Sequence, residues 1–106
     1  MNVYGDPGKY GLTLIGTVDF EHGYEYDTMA IWKTEDGQFL YGHSSGCSCS
    51  SPFDSQGRDD LILASPEDFR VVAMEYAERR ASTWYPESLP VWQMEITELF
   101  ERMVKP

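Results

Sequence analysis

Basic residues are scarce in this chain: eight stand against eighteen acidic ones, for a formal charge of -10 over 106 residues. Direct nucleic-acid binding through phosphates needs a basic footprint, so the charge balance argues against it. Long apolar runs are missing as well. Nothing is long enough to span a bilayer, and no N-terminal segment joins a basic head to an apolar core. The expectation is a soluble, cytoplasmic protein that does not engage membranes. Cysteine is limited to Cys47 and Cys49. Two thiols one residue apart make no disulfide framework, and a bridge between them would be strained.

Against these scarcities, 42% of the residues are hydrophobic and 14% aromatic. That is enough for one folded domain over residues 1–106 with a single core and no covalent staples. The charge is uneven. Residues 1–69 hold twelve acids and three bases (Lys9, Lys33, Arg58), whereas residues 70–106 hold six acids and five bases. Solubility accounts for such a surplus; so does an acidic face turned to a basic partner.

Residues 1–11, rich in Gly and Pro, read as an irregular lead-in. From Leu12 the pattern alternates, with Leu12, Leu14, Gly16, Val18 and Phe20 on one side. A second alternating run carries Tyr24, Tyr26, Thr28, Ala30 and Trp32 opposite Glu25, Asp27, Met29, Ile31 and Lys33. A three-residue loop over 22–24 pairs Leu14 with Trp32, Val18 with Thr28 and Phe20 with Tyr26, which keeps the faces consistent. That register sets Glu21 against Glu25 and Asp19 against Asp27. Asp36-Gly37 then predicts a turn into a third strand ending at His43, completing a meander over 12–43. Residues 44–60 read as a long loop, and Leu61–Ala64 as a short edge strand. Ser65-Pro66 opens a helix over 66–81 whose inward stripe is Phe69, Val72, Ala73, Tyr76, Ala77 and Arg80. A last helix covers 90–103, with Trp92, Ile96, Leu99, Phe100 and Met103 on one face. The fold class is α+β: a three-stranded antiparallel meander, with room for a short fourth edge strand, followed by two helices on one face.

Four constellations invite a functional reading. His43, Cys47 and Cys49 are zinc-type ligands, but structural zinc needs four, and Cys-x-Cys is not its usual spacing. The plainer reading makes the cysteines small buried hydrophobes, with no metal and no cofactor bound. Nucleophilic catalysis by either thiol with His43 as base lacks a helix start or signature around it. Asp19, Glu21, Glu25 and Asp27 form an acidic hairpin face. It suits the Arg and Lys residues of a partner protein, or imitates DNA phosphates, or is simply a solvated sheet face. The aromatics Tyr4, Tyr10, Tyr41, Phe53, Trp84 and Tyr85 stand near irregular segments, where interface anchors and core filling are both at home.

The segment from Trp32 to Asp54 carries Asp36-Gly37, Phe39-Leu40-Tyr41, Ser45-Gly46-Cys47-Ser48-Cys49 and Pro52-Phe53-Asp54. In these features it resembles a family of small acidic proteins encoded by phages of actinobacteria. Members of that family often have an acid at the position of His43, which counts against zinc. The resemblance implies a phage gene, a bacterial cytosol and action by binding and disabling a host protein. It implies no activity.

The expected function is therefore non-enzymatic: a module that binds a host or phage protein bearing a basic surface. Its contacts are expected at Asp19, Glu21, Glu25, Asp27, Cys47, Cys49, Pro52 and Phe53. The alternatives are an acidic DNA mimic and a small zinc protein.

Overall fold

Alternation in the first half of the chain and helical spacing in the second produce the expected layers. The computed structural model describes residues 2–20, 25–47 (residue 47 by its backbone), 53, 56–83 and 85–105. Strands β1 (Leu12–Asp19), β2 (Glu25–Thr34), β3 (Phe39–Cys47) and β4 (Ile62–Leu63) form one antiparallel sheet in the order β1-β2-β3-β4. Helices α1 (Pro66–Thr83) and α2 (Leu89–Val104) follow. The Asp36-Gly37 turn forms as its chemistry requires. Gly37 takes φ 86°, and its N–H donates to the Thr34 carbonyl at 3.1 Å. Ser65 caps α1, its hydroxyl accepting the Asp68 N–H at 3.1 Å.

The register is where the structure departs from simple alternation. Leu14 faces Trp32 as expected, but a bulge at Ile15 then shifts β1 by one residue. Gly16 faces Ile31, Val18 faces Met29 and Asp19 faces Thr28. The Phe20 N–H donates to the Asp27 carbonyl at 2.7 Å, extending the same register. The expected pairings of Val18 with Thr28, Phe20 with Tyr26 and Asp19 with Asp27 are therefore corrected. An inserted residue flips every later side chain to the other face. Leu12 and Leu14 look to one side of the sheet, Val18 and Phe20 to the other.

Both faces are consequently buried. On the helix side, Val18, Phe20, Met29 and Ile31 pack with Phe69, Ala73, Ala77, Trp92, Ile96 and Leu99. On the opposite side, Val3, Leu12, Ala30, Trp32, Leu40 and Phe53 make a second cluster, flanked by Tyr4, Tyr10, Leu14 and Leu61. The lead-in is thus a cover for the far face, and the Trp32 indole N–H is anchored on the Val3 carbonyl at 3.1 Å. β3 also runs past His43 to Cys47, paired residue by residue with Glu25–Asp27 and Thr28. Its Ser and Gly residues lack any apolar alternation, and that end is held by backbone pairing and by the Ser44 hydroxyl, which accepts the Phe53 N–H at 3.1 Å.

Gly16 fixes how closely α2 approaches. A Cβ there would lie 2.4 Å from Leu99 Cδ2 and 3.0 Å from an Arg102 guanidinium nitrogen. The same guanidinium donates to the carbonyl of the bulged Ile15 at 3.3 Å. Gly16→Val is expected to destabilise the protein by about 1–3 kcal/mol through overpacking. A urea melt would read this as a lower midpoint with unchanged slope, and an unchanged midpoint would refute it.

Candidate functional site

The helix face of β2 carries a charge inward. Asp27 shares the helix face of the sheet with Phe20, Met29 and Ile31, and it is the only buried acid among the described residues. A carboxylate moved out of water needs partners, and three converge on it. His43 lies diagonally across the β2–β3 pair, since Met29 faces His43 and Asp27 faces Ser45. Tyr76 and Arg80 stand one turn apart on the inward face of α1. One Asp27 oxygen is hydrogen-bonded to His43 Nε2 and the other accepts the Tyr76 hydroxyl. Arg80 Nε lies 3.3 Å from the latter oxygen. Arg80 also donates to the Phe20 carbonyl at 3.4 Å. The His43 ring meets Tyr76 edge-on at 4.6 Å, and Phe20 closes the other side of that phenol at 5.0 Å.

The electrostatics follow from this geometry. Burial pushes the Asp27 carboxyl upward, but hydrogen bonds from His43 and Tyr76 and the positive charges of His43 and Arg80 outweigh it. The group is held below the ordinary aspartate value. Burial, together with the hydrogen bond to Asp27 and its charge, pushes the Tyr76 phenol up to about 12. At neutral pH the cluster is thus an ionised carboxylate gripped by a neutral phenol, an imidazole and a guanidinium. Both carboxylate oxygens are engaged, and the cluster fastens α1 to β2 and β3.

Beside it opens a polar cleft of about 460 Å³, lined by Glu25, Tyr26, Asp27, Ser45, Gly46, Tyr76 and Arg80. Its chemistry is that of hydroxyls, one exposed carboxylate and the edge of the buried cluster. Among the described residues no three His, Cys, Asp or Glu side chains come close enough to hold a metal ion.

The residues singled out from the sequence are scattered by the fold. Glu25 is exposed at the mouth of the cleft and Asp27 is buried behind it. Asp19 lies on the opposite face of the sheet, facing Thr28, where its carboxylate accepts the Asp27 backbone N–H at 3.4 Å. The four-carboxylate face is therefore not assembled as read: the bulge parts Asp19 from Glu25 and Asp27. Glu21, Cys49 and Pro52 lie outside the described residues, as does the Cys47 side chain, and the zinc candidate His43 is turned to Asp27. Phe53 is a core residue, 1% exposed, set against Trp32 at 5.3 Å and Tyr4 at 5.4 Å. Its backbone has φ 62°, unusual for a bulky residue, so packing holds it there. Tyr76 and Arg80 were legible as inward residues but not as a site. The available signal was Arg80 itself, since an arginine on an apolar stripe requires a buried acceptor.

The model of a family described as a domain of unknown function matches residues 1–103. No curated protein and no solved structure matches the chain.

Two outcomes test the cluster. Asp27→Asn leaves Arg80 and His43 facing a neutral amide and is expected to cost roughly 3 kcal/mol in a denaturant melt. A loss within error of zero would dismiss the clasp. The pH dependence has a defined sign at each end. The lowered Asp27 value gives stability that is complete above the ordinary aspartate range and disappears as pH falls through the folded-state value. The raised Tyr76 value gives stability that is complete below its ordinary 10.0 and is lost as pH rises through about 12. Ultraviolet titration should find a tyrosine ionising near that upper value in the native chain and not in Tyr76→Phe; identical curves would contradict the assignment.

Proposed function

The chain belongs to that family, DUF7574, and we propose that it is a non-enzymatic protein-binding module encoded by an actinobacterial phage. In this reading it acts in the host cytosol, where it binds a basic surface of a host protein and modulates or inhibits it. The placement of charge carries the reading. Asp27, the buried acid, is answered internally by Arg80, Tyr76 and His43, whereas Glu25, Glu35, Asp36, Glu75, Glu78, Glu98 and others stand exposed with a chain charge of -10. An exposed surplus of one sign steers a basic partner and rejects acidic ones. The phage setting rests on the Ser45–Cys49 and Pro52–Asp54 segments already described. Among the described residues no helix is long and apolar enough to cross a membrane.

DNA mimicry is the weaker form of the same idea, because a phosphate-like row needs its carboxylates on one face, and Asp19 and Glu25 are on opposite ones.

The test is capture from an actinobacterial lysate on the immobilised chain, eluted in salt steps. Screening shortens from about 10 Å at 0.1 M salt to about 3 Å at 1 M. A discrete partner with a basic surface, released at modest salt, is expected. Retention of nothing beyond a bare-resin control, or near-stoichiometric zinc in the purified chain, would overturn the reading. Release of the partner by competing DNA would favour mimicry.

A further inference from the structure

The two helices have a second pair of faces, away from the sheet, that the fold does not use. Between them runs a groove of about 400 Å³ lined by Arg70, Val71, Met74, Glu75, Glu78 and Thr97. Val71 is 52% exposed, and Met94, one turn before Thr97 on α2, is 61% exposed. Apolar side chains this open add little to the stability of the chain. Met in particular adapts to varied partners.

The rim is acidic. Glu75 and Glu78 line the groove from α1. Of the bases nearby, Arg70 pairs with Glu67 at 2.6 Å and covers the Phe100 ring at 4.4 Å, while Arg79 lies over the Tyr76 ring at 5.8 Å and offsets part of the charge of Glu75 and Glu78.

Shape and charge together select the occupant. We propose that the α1–α2 groove docks a basic amphipathic helix of the partner protein, its apolar side chains meeting Val71 and Met74 in the groove and the exposed Met94 one turn from Thr97, and its lysines or arginines meeting Glu75 and Glu78. This rests on the protein-binding reading and names the surface and the kind of segment. A cleft between two helices takes a third helix by its apolar ridge, whereas an extended peptide seeks a sheet edge. A second copy of the chain is a poor fit, because a two-fold contact would set the glutamates of each rim against those of the other. An anionic lipid surface is repelled for the same reason.

The experiment titrates the full chain with a labelled synthetic peptide of leucine and lysine at helical spacing, beside a scrambled peptide of the same composition. Anisotropy should report binding of the first and at least a roughly tenfold weaker response to the second, since scrambling removes the apolar face. Glu75→Lys with Glu78→Lys should weaken binding roughly tenfold or more, as should Val71→Gln with Met94→Gln. These positions are solvent-facing, and a native urea midpoint confirms that each variant folds. Glu35→Lys with Asp36→Lys, on the remote β2–β3 turn, makes the same change of net charge and should leave affinity unaltered. Equal weakening by the two charge-reversed pairs would overturn the groove while leaving a diffuse acidic binder intact. Equal binding of the helical and scrambled peptides, or no binding of either, would also overturn it. Capture of the lysate partner by the Val71→Gln, Met94→Gln variant as well as by the native chain would do so too, and would separate the failure of the groove from failure of the protein-binding reading.

Discussion

A one-residue slip in β1 governs the rest of the molecule. With the bulge at Ile15, β1 delivers Leu12 and Leu14 to one face of the sheet and Val18 and Phe20 to the other. A strand that stayed in strict alternation would have placed all four against the same layer and left the other uncovered. The neighbouring strand is adapted to this division. Residues from Asp27 to Trp32 of β2 are buried without a break, on both parities, which is the pattern of a strand covered on both sides rather than half-solvated. At the bulge Ile15 has no cross-strand partner in the register, and Arg102 of α2 donates to its carbonyl. The defect in the sheet thereby becomes a point of attachment for the helix.

The same slip seats Phe20 beside the buried charge. Once Phe20 lies beside Asp27, the carboxylate is enclosed by aromatic rings and by α1, and its ionised form persists because His43 and Tyr76 hydrogen-bond to it and the Arg80 charge lies beside it. Apolar residues of similar volume would hold the layers together about as well, and a buried ion pair is weak evidence of stability gained. What the cluster adds is selectivity among packings. Rotating α1 by one residue would bury Arg80 away from its carboxylate and leave Asp27 with His43 as its one remaining partner in the cluster, an error that costs several kcal/mol. Apolar packing alone tolerates such slips more readily, since Ala73, Ala77 and Ala81 offer a smooth surface to the sheet.

Much of this was open to inspection in the residues, and the exceptions have physical causes. Period-2 and period-3.6 patterns located the meander and both helices, and turn and cap chemistry located Asp36-Gly37 and Ser65-Pro66. The bulge left no mark, because Ile15 and Gly16 fit a continuous strand as well as a broken one. The extension of β3 through Ser44, Ser45 and Gly46 was hidden for a different reason: pairing with β2 is made by the backbone, and small polar side chains carry no periodicity. Phe53 looked like an interface anchor because it sits in a polar loop. The space above Trp32 that receives it exists only because Gly42 lacks a side chain: a Cβ there would come within 3.0 Å of Phe53 and 2.7 Å of Leu61. No local pattern announces a cavity formed by a residue on another strand. The candidate cluster was half legible, with Arg80 on an apolar stripe and Asp27 between apolar neighbours, yet only the register joins them.

The division of charge also separates two properties that usually move together. The Asp27–Arg80 contact is shielded from solvent ions, since the carboxylate side chain is only 5% exposed, so added salt weakens it little. The exposed glutamates are fully subject to screening. Ionic strength therefore acts on the outer surface and hardly on the clasp, in contrast to acid, which reaches both by protonating carboxylates. An acidic protein whose fold depended on surface pairs would lose structure and partner under the same conditions. Here the internal charge is matched within the chain, whereas the surface, though it holds pairs such as Arg70–Glu67, carries the excess of acid.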